Sequence, residues 1–326
     1  MTRPVPESEA RVRQRGVTLV ELLVAMAVAL VVVLAAMAAF VGSQRLFATD
    51  ADAQAVQESL RFGGFVVRSV VRQVGYADYA PDHLRPDGQA GIASSANTPS
   101  SANDSASLDI VGASDTRVSG IGDSYGAHHT RGINASDSLR TRFFGRSRAA
   151  GDGTEPDGTM IDCMGFAQPG PAADKPVSAD RAWSFFYVAE AADGEPELYC
   201  KYRSARDRPF KAEPLVRGIE VFKVVYGHDA NGDGVPEQWV DAVQLEAMAA
   251  SGTKVNDEWR KVVGLRIGMV ARSARARGGR REAEDVLYPL GTDFSELSFR
   301  PPADGRLRRV ATFTVMLRNA MRAPAS

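Results

Sequence analysis

The apolar residues of this chain are concentrated near its amino terminus. Between Val17 and Val41, about 25 consecutive residues include one charged side chain, Glu21, and neither glycine nor proline. At about 1.5 Å per residue, a helix of this length crosses a hydrocarbon core of about 30 Å. A secretory signal peptide has an apolar core of only about 7–15 residues. The pattern therefore predicts a transmembrane helix rather than a signal peptide.

After this run the pattern becomes amphipathic. From Ser43 to Val74, apolar residues recur at helical spacing, with glutamine, acidic residues and arginine between them. The helix is therefore expected to continue and to bury one face of its distal half on a globular domain. Gly75 is the expected stop, and Gly63–Gly64 is expected to loosen or kink the helix.

The rest of the chain is typical of strands separated by loops. Residues 77–106 and 145–181 are rich in glycine, proline and small polar residues, which indicates long surface loops. Short alternating segments predict antiparallel strands: SLDIVGA, LRTRFFG, MIDCMGF, AWSFFYVAE, ELYCKYR, IEVFKVVYG, KVVGLRIGMVAR and RRVATFTVMLRN. PEQWVDAVQLEAMAAS predicts a short helix or an irregular insert. The fold class is therefore α+β, with a long N-terminal helix packed on an antiparallel sheet.

These patterns divide the chain into four expected parts. Residues 1–16 form a basic leader, and residues 17–41 form the transmembrane half of the N-terminal helix. Residues 42–76 form its amphipathic half, and residues 77–326 form a globular β domain.

Charge predicts the orientation of the helix. Four arginines precede the apolar run, at Arg3, Arg11, Arg13 and Arg15. The positive-inside tendency keeps such a short tail in the cytoplasm, so the globular domain is expected in the periplasm. The net charge of −1 gives no general attraction to nucleic acid.

Only two cysteines occur, Cys163 and Cys200, and both lie in the expected exported part. An oxidising compartment permits a disulfide between them, while two free buried thiols are the alternative. Neither cysteine has another cysteine or histidine at the spacing of a zinc site.

The start of the apolar run resembles the class III signal of type IV pilins and type II secretion pseudopilins. The residues that carry this resemblance are Gly16, Val17, Thr18, Leu19 and Glu21. The resemblance implies that a prepilin peptidase cuts between the first two of them and that the new amino terminus on Val17 is N-methylated.

A second resemblance is to PilW-type minor pilins. Their "R-F … R … G-Y" pattern is matched by Arg61, Phe62, Arg72, Gly75 and Tyr76. The blocks LYCKY, VVYGHDANGDGVPEQW and WRKVVGLRIGMVARS are also similar to that family. The implied fold is type IV pilin-like.

Glu21 is expected to have a positive partner, because a carboxylate within a membrane costs a few kcal/mol. The pilin resemblance implies that it pairs with the amino terminus of a neighbouring subunit in a filament. The alternative is a carboxylate near the lipid interface, stabilised by the helix dipole.

The segment DANGDGVPE indicates a possible calcium loop. Asp229, Asn231 and Asp233 alternate and a glycine follows, as in the first half of an EF-hand loop. Val240 occupies the twelfth position and cannot be a ligand, so Glu237 or Asp241 would have to substitute. The alternative is a tight turn built on Asn-Gly and Asp-Gly.

The expected function is that of a minor pilin in the inner membrane, later part of the extracellular pilus. It would prime type IV pilus assembly and join the tip complex, supporting twitching motility and adhesion. The implied partners are other minor pilins, the major pilin, the prepilin peptidase, the inner-membrane assembly machinery and a tip adhesin. No nucleotide-binding, hydrolase or metalloprotease motif occurs, so no enzymatic activity is expected.

Two alternatives are kept open. One is a GspJ-like minor pseudopilin of a type II secretion system. The other is a DNA-uptake competence pilin using the basic run 272–281, although a solvated hairpin tip is the simpler interpretation of that run, and nucleic acid is an unlikely partner.

Overall fold

A computed structural model describes residues 16, 18–76, 108–117, 130–148, 155–171, 180–204, 208–249, 255–276 and 285–319. The chain divides into two units, Met1–Ala51 and Asp52–Ser326. The first helix, α1 (Leu19–Val71), contributes residues to both units.

In the first unit, α1 is apolar on all sides and its side chains are exposed, as Leu19, Leu30 and Phe40 illustrate. By length and composition the helix can cross a membrane. A helix that is apolar all round needs apolar surroundings, which a bilayer or a bundle of similar helices provides.

In the second unit, one face of α1 is buried, and Val56, Leu60, Val67 and Val70 enter the main core. The expected kink at Gly63–Gly64 is not a break, because α1 continues through both residues. A Cβ on Gly63 would lie 3.5 Å from Val216, and one on Gly64 would lie 3.4 Å from Phe313. A Cβ at either position would make ordinary van der Waals contact with these strands, so the packing of α1 here does not require glycine.

The helix ends at Val71, four residues before the expected stop. A turn follows, in which Gly75 has a φ of 72° and donates its N–H to the carbonyl of Arg142. A side chain here would meet the Asn319 carbonyl, so the turn requires glycine.

In the described ranges, nine strands form two antiparallel sheets. The first sheet follows chain order: β1 (Ile110–Ala113), β2 (Ser138–Phe143), β3 (Ala182–Glu190), β4 (Pro196–Tyr202) and β5 (Lys211–Arg217). The second contains β6 (Ile219–His228), β7 (Gln238–Val240), β8 (Val262–Ala276) and β9 (Arg306–Met316), in the order β7-β6-β8-β9. The α+β class is confirmed, but two sheets are present where one was expected.

Two short α-helices lie in the described part of the second unit. Helix α2 (Ala242–Ala247) lies within the expected helix or insert, and Asp241 caps it with a reciprocal bond to Gln244. Helix α3 (Val255–Arg260) precedes β8.

The expected strand MIDCMGF is a turn with one isolated bridge, between Ile161 and Ala167. The Asp162 carboxylate accepts backbone N–H bonds from Met164 and Phe166, at 2.9 and 3.0 Å. Such local bonds compete with strand pairing.

The same turn contains Cys163, which forms a disulfide with Cys200 of β4, with the two Cα atoms 6.1 Å apart. The expected pairing is confirmed. The bridge ties a segment without regular structure to the centre of the first sheet.

Candidate functional site

The start of α1 contains the first group of expected functional residues. Gly16 is exposed and not helical, and the helix begins three residues later, at Leu19. Val17, the expected site of methylation, lies outside the described residues, as does the leader before Gly16.

Thr18 and Glu21 form a capping box at this helix start. The Thr18 N–H and hydroxyl donate to Glu21 Oε2 at 3.0 and 3.1 Å, and the Glu21 N–H donates to the hydroxyl at 3.3 Å. Two orphan donors of the first turn are thereby satisfied. The capping role of Thr18 was not predicted, although the T-x-x-E spacing is the signature of this box.

The carboxylate of Glu21 therefore has local donors within a single chain. It lies in the first turn of α1, where the helix dipole also favours a negative charge. Its pairing with the amino terminus of another subunit stays a prediction.

The loop between β6 and β7 contains the second group. Carboxylate oxygens of Asp229, Asp233 and Glu237 all lie within 4.8 Å of one another. Asp229 is 5% exposed, whereas the other two are exposed to solvent. The first-half ligand positions do converge, so the loop brings together three oxygen donors of the type that calcium prefers.

Backbone donors hold this loop in shape. Asp229 accepts N–H bonds from Gly232 at 2.6 Å, Asp233 at 3.2 Å and Gly234 at 2.7 Å. Glu237 accepts the Ala230 N–H at 2.7 Å. These bonds also suit the alternative of a tight turn, so the calcium prediction stays open.

The other positions of the expected calcium loop differ in their relation to this cluster. Asn231 donates its amide to Asp233 at 3.1 Å. Asp241 caps α2, and Val240 is buried in β7. Among the proposed substitutes for the twelfth position, only Glu237 therefore lies in the cluster.

A buried polar triad adjoins the loop. His228 Nε2 lies 2.8 Å from Glu258, and Lys261 Nζ donates to the same carboxylate at 2.9 Å. Burial acts to raise the pKa of Glu258, but the hydrogen bonds from Lys261 and His228 lower it below its usual value. Asp229 donates its N–H to the Lys261 carbonyl, so the triad anchors the loop at its first acidic residue.

The basic run 272–281 lies only partly within the described residues. Arg272 belongs to β8, where it makes a bidentate bond to Glu195 at 3.0 and 3.1 Å. Its charge is therefore used inside the protein and is not displayed to a polyanion.

Two family models match the chain. Residues 11–37 match the prokaryotic N-terminal methylation motif. The chain is therefore a type IV pilin-like protein with a prepilin-type amino terminus. Residues 185–319 match the model of type IV pilus-assembly protein W, which confirms the resemblance to the PilW family. This family is structural rather than enzymatic.

Among solved structures, a type IV-like pilin from Thermus thermophilus is similar to this chain. The two are 13% identical, with a TM-score of 0.38 over 81% of this chain and 97% of that chain. No curated protein matched the sequence.

Proposed function

We propose that this minor pilin primes assembly of a type IV pilus and joins the tip complex of the filament. The observation that carries the proposal is the exposed apolar half of α1, most of which lies within the methylation motif matched over residues 11–37. Such a surface is stable in a bilayer or against other apolar helices, so the same segment serves as anchor before assembly and as filament core afterwards. Twitching motility and adhesion would depend on the pilus so formed.

Processing follows from the geometry around Gly16. The residue is exposed and lies outside the helix, so a peptidase can reach the bond to Val17 without unwinding α1. Cleavage would leave the whole helix in the mature protein, with the leader in the cytoplasm and the globular unit in the periplasm. The prepilin peptidase and the inner-membrane assembly machinery are the partners of this step.

Glu21 would select the register of the incoming helix. Its carboxylate would exchange the donors of Thr18 for the amino group of a neighbouring subunit, either the major pilin or another minor pilin. Charge pairing is strong in a low dielectric, so a subunit without this carboxylate should insert and be cut but not assemble.

Mass spectrometry of the amino terminus tests the processing step. The mature chain should begin with N-methylated Val17, and a Gly16→Leu variant should keep its leader. An intact terminus at Met1 or Thr2 in the wild type would rule out a pilin. For the assembly step, Glu21→Ala should yield cleaved protein but no surface pili, while Glu21→Asp should keep partial assembly.

The pseudopilin alternative has the same fold as the pilus proposal. It differs in the machinery that the protein serves, which would be a type II secretion system rather than a type IV pilus. Deletion of the gene separates them: loss of surface pili with normal protein export supports the pilus, and the reverse supports type II secretion. For the DNA-uptake alternative, neutralising Arg275 should reduce uptake but not twitching. The observed pairing of Arg272 with Glu195 does not favour that alternative.

As a second proposal, the loop between β6 and β7 binds calcium through Asp229, Asp233 and Glu237, with Asn231 as a neutral ligand. The convergence of the three carboxylates supports it. Calcium would fix the loop against β7 and relieve repulsion among the acidic groups.

A further inference from the structure

β9 is the one long edge strand of the described sheets that lacks protection against pairing. The edges at β1 and β7 contain only four and three residues. β5 carries Pro214, alternating charges and a register shift against β4, all of which hinder the addition of another strand. β9 has 11 residues without proline, and residues 310–316 carry no charge.

The register identifies the backbone groups at this free edge. Leu317 donates its N–H to Val263, and hydrogen-bonded pairs alternate along an antiparallel ladder. Phe313 and Val315 therefore bond to β8, whereas Thr312 and Thr314 direct their N–H and C=O groups outward. Within the described residues, no backbone hydrogen bond from another element reaches this edge.

The surface beside the edge is open and apolar. Val310 is 37% exposed and Met316 is 45% exposed. An open groove of about 690 Å³ runs between this strand and α1, and Leu60, Phe65 and Phe313 contribute its apolar surface. Phe65 is itself 66% exposed, so the groove continues onto the helix surface.

Charge in the groove has one sign. Arg61, Arg68 and Arg309 line it, and none of the lining residues is acidic. Across the described parts of the chain, none of these three guanidinium groups has an ion-pair partner. Arg68 lies over the Phe313 ring, 4.6 Å from its centre. An acidic side chain entering the groove would therefore meet three cations held beside an apolar surface.

We propose that β9 is a docking edge for an extended acidic segment of a partner polypeptide, which adds to the second sheet as a further antiparallel or parallel strand. The outward backbone groups of residues 310–316 supply the affinity. Alternate side chains of the incoming strand face the groove, where acidic residues meet the three arginines, and the apolar residues between them lie on the opposite face, beside the exposed Val310 and Met316.

A second copy of β9 does not match this edge. The strand contains no acidic residue, and its Arg309 would add a further cation to a groove that already holds three, so self-pairing is disfavoured. A nucleic acid would neutralise the arginines but would leave the outward C=O groups next to phosphate. The arrangement therefore favours a different, acidic polypeptide.

The inference concerns a surface of the globular unit and does not depend on the role in pilus assembly. It is tested on the purified full chain in a mild detergent, with a fluorescent peptide of alternating glutamate and valine as the probe. The matched controls are a peptide of alternating lysine and valine and a single-stranded oligonucleotide of equal negative charge. Anisotropy gives the dissociation constant, and hydrogen exchange reports on the amides of residues 310–316.

Two pairs of variants separate backbone pairing from charge. Thr314→Pro removes one outward N–H without removing a bond to β8, and Thr314→Val keeps that N–H as its control. Arg61→Glu with Arg309→Glu reverses charge in the groove, and Arg208→Glu makes the same kind of change at an exposed site between β4 and β5.

The expected result is that the glutamate peptide binds, protects the amides of 310–316 and loses about tenfold in affinity with Thr314→Pro but not with Thr314→Val. The doubly reversed variant should prefer the lysine peptide, while Arg208→Glu should behave as wild type. Absence of glutamate-peptide binding, equal affinity for Thr314→Pro and Thr314→Val, or tighter binding of the oligonucleotide would each overturn the proposal.

Discussion

Arg308 connects two carboxylates that are held in very different environments. Its guanidinium donates to Asp304 through two bonds of 2.7 Å and also pairs with Glu220, which is 1% exposed. Burial raises the pKa of Glu220 above its usual value despite this pairing. The hydrogen bonds from Arg308 lower the pKa of Asp304 to about 2. A single arginine thus fixes two acidic groups at the start of β6 and β9.

Asp304 should make the stability of the globular unit sensitive to acid. Because its pKa is lowered on folding, its contribution is present above its ordinary pKa near 3.8 and is lost as the pH falls toward 2. Asp304→Asn should therefore remove about 2 kcal/mol at neutral pH and flatten the decline below pH 4. Urea titrations followed by tryptophan fluorescence measure this, and an unchanged acid slope would contradict it.

Single residues were predictable where a local rule applies. The roles of Gly16 in cleavage and of Glu21 in assembly stay predictions, whereas Gly75 was predictable from the end of the helical pattern and occupies the turn that follows α1, four residues after Val71. Arg308 and the triad of His228, Glu258 and Lys261 were not, since their partners are 30 or more positions away or belong to another element.

Among the elements, those with strong periodicity were recovered. Helix α1 and the long strands β3, β6, β8 and β9 follow from apolar spacing that needs no knowledge of their neighbours. β5 was missed because it is a polar edge strand containing Pro214, so its conformation is set by pairing with β4. β7 and α3 are too short to show a periodic pattern of apolar residues.

The acidic loop is the element whose function is most directly testable. Asp229→Ala would remove three backbone bonds as well as a ligand, so Asp233→Asn and Glu237→Gln are the cleaner changes. If calcium binds, it should raise the melting temperature of the wild type, and the two changes together should reduce its affinity by at least about tenfold. Chelation should then have no effect on the double variant.

Asp241→Asn serves as the control for this loop, because it removes a nearby charge outside the cluster while keeping a capping side chain for α2. Its response to calcium should equal that of the wild type. A melting temperature that does not respond to calcium in the wild type would leave the loop as a tight turn held by its own backbone.

Within the second unit, one core joins the helix to both sheets. Val67 of α1, Phe186 of the first sheet and Ile267 of the second are all fully buried in the same cluster. Glu195, before β4, adds a polar link by pairing with Arg272 and Arg306 of the second sheet. The division into two sheets was not predictable from strand patterns, because it depends on which distant strands pair.

The disulfide should stabilise this unit by restricting its unfolded chain. The two cysteines are 37 positions apart, for which chain entropy corresponds to about 3–4 kcal/mol. Cys163→Ala with Cys200→Ala should lower the free energy of unfolding by about that amount. All three tryptophans lie in the second unit, so their fluorescence reports its unfolding in urea.

Wild-type protein treated with a reductant provides the matched control for the disulfide. It should lose nearly as much stability as the double variant, since both remove the cross-link but only the variant removes the sulfur atoms. Equal stability of the oxidised and reduced forms would show that the bridge adds no constraint.

The capping box at Thr18 and Glu21 has a consequence for the life cycle of the subunit. Removing the leader takes away no helical residue, because α1 begins at Leu19. Before assembly, the Glu21 carboxylate already accepts hydrogen bonds from the N–H and hydroxyl of Thr18. In the proposed assembly step, an arriving amino group would replace Thr18 as the donor to Glu21, so the carboxylate would have a partner before and after the exchange. If this exchange of donors is reversible, disassembly of the filament would return intact subunits to the membrane, where they could be used again.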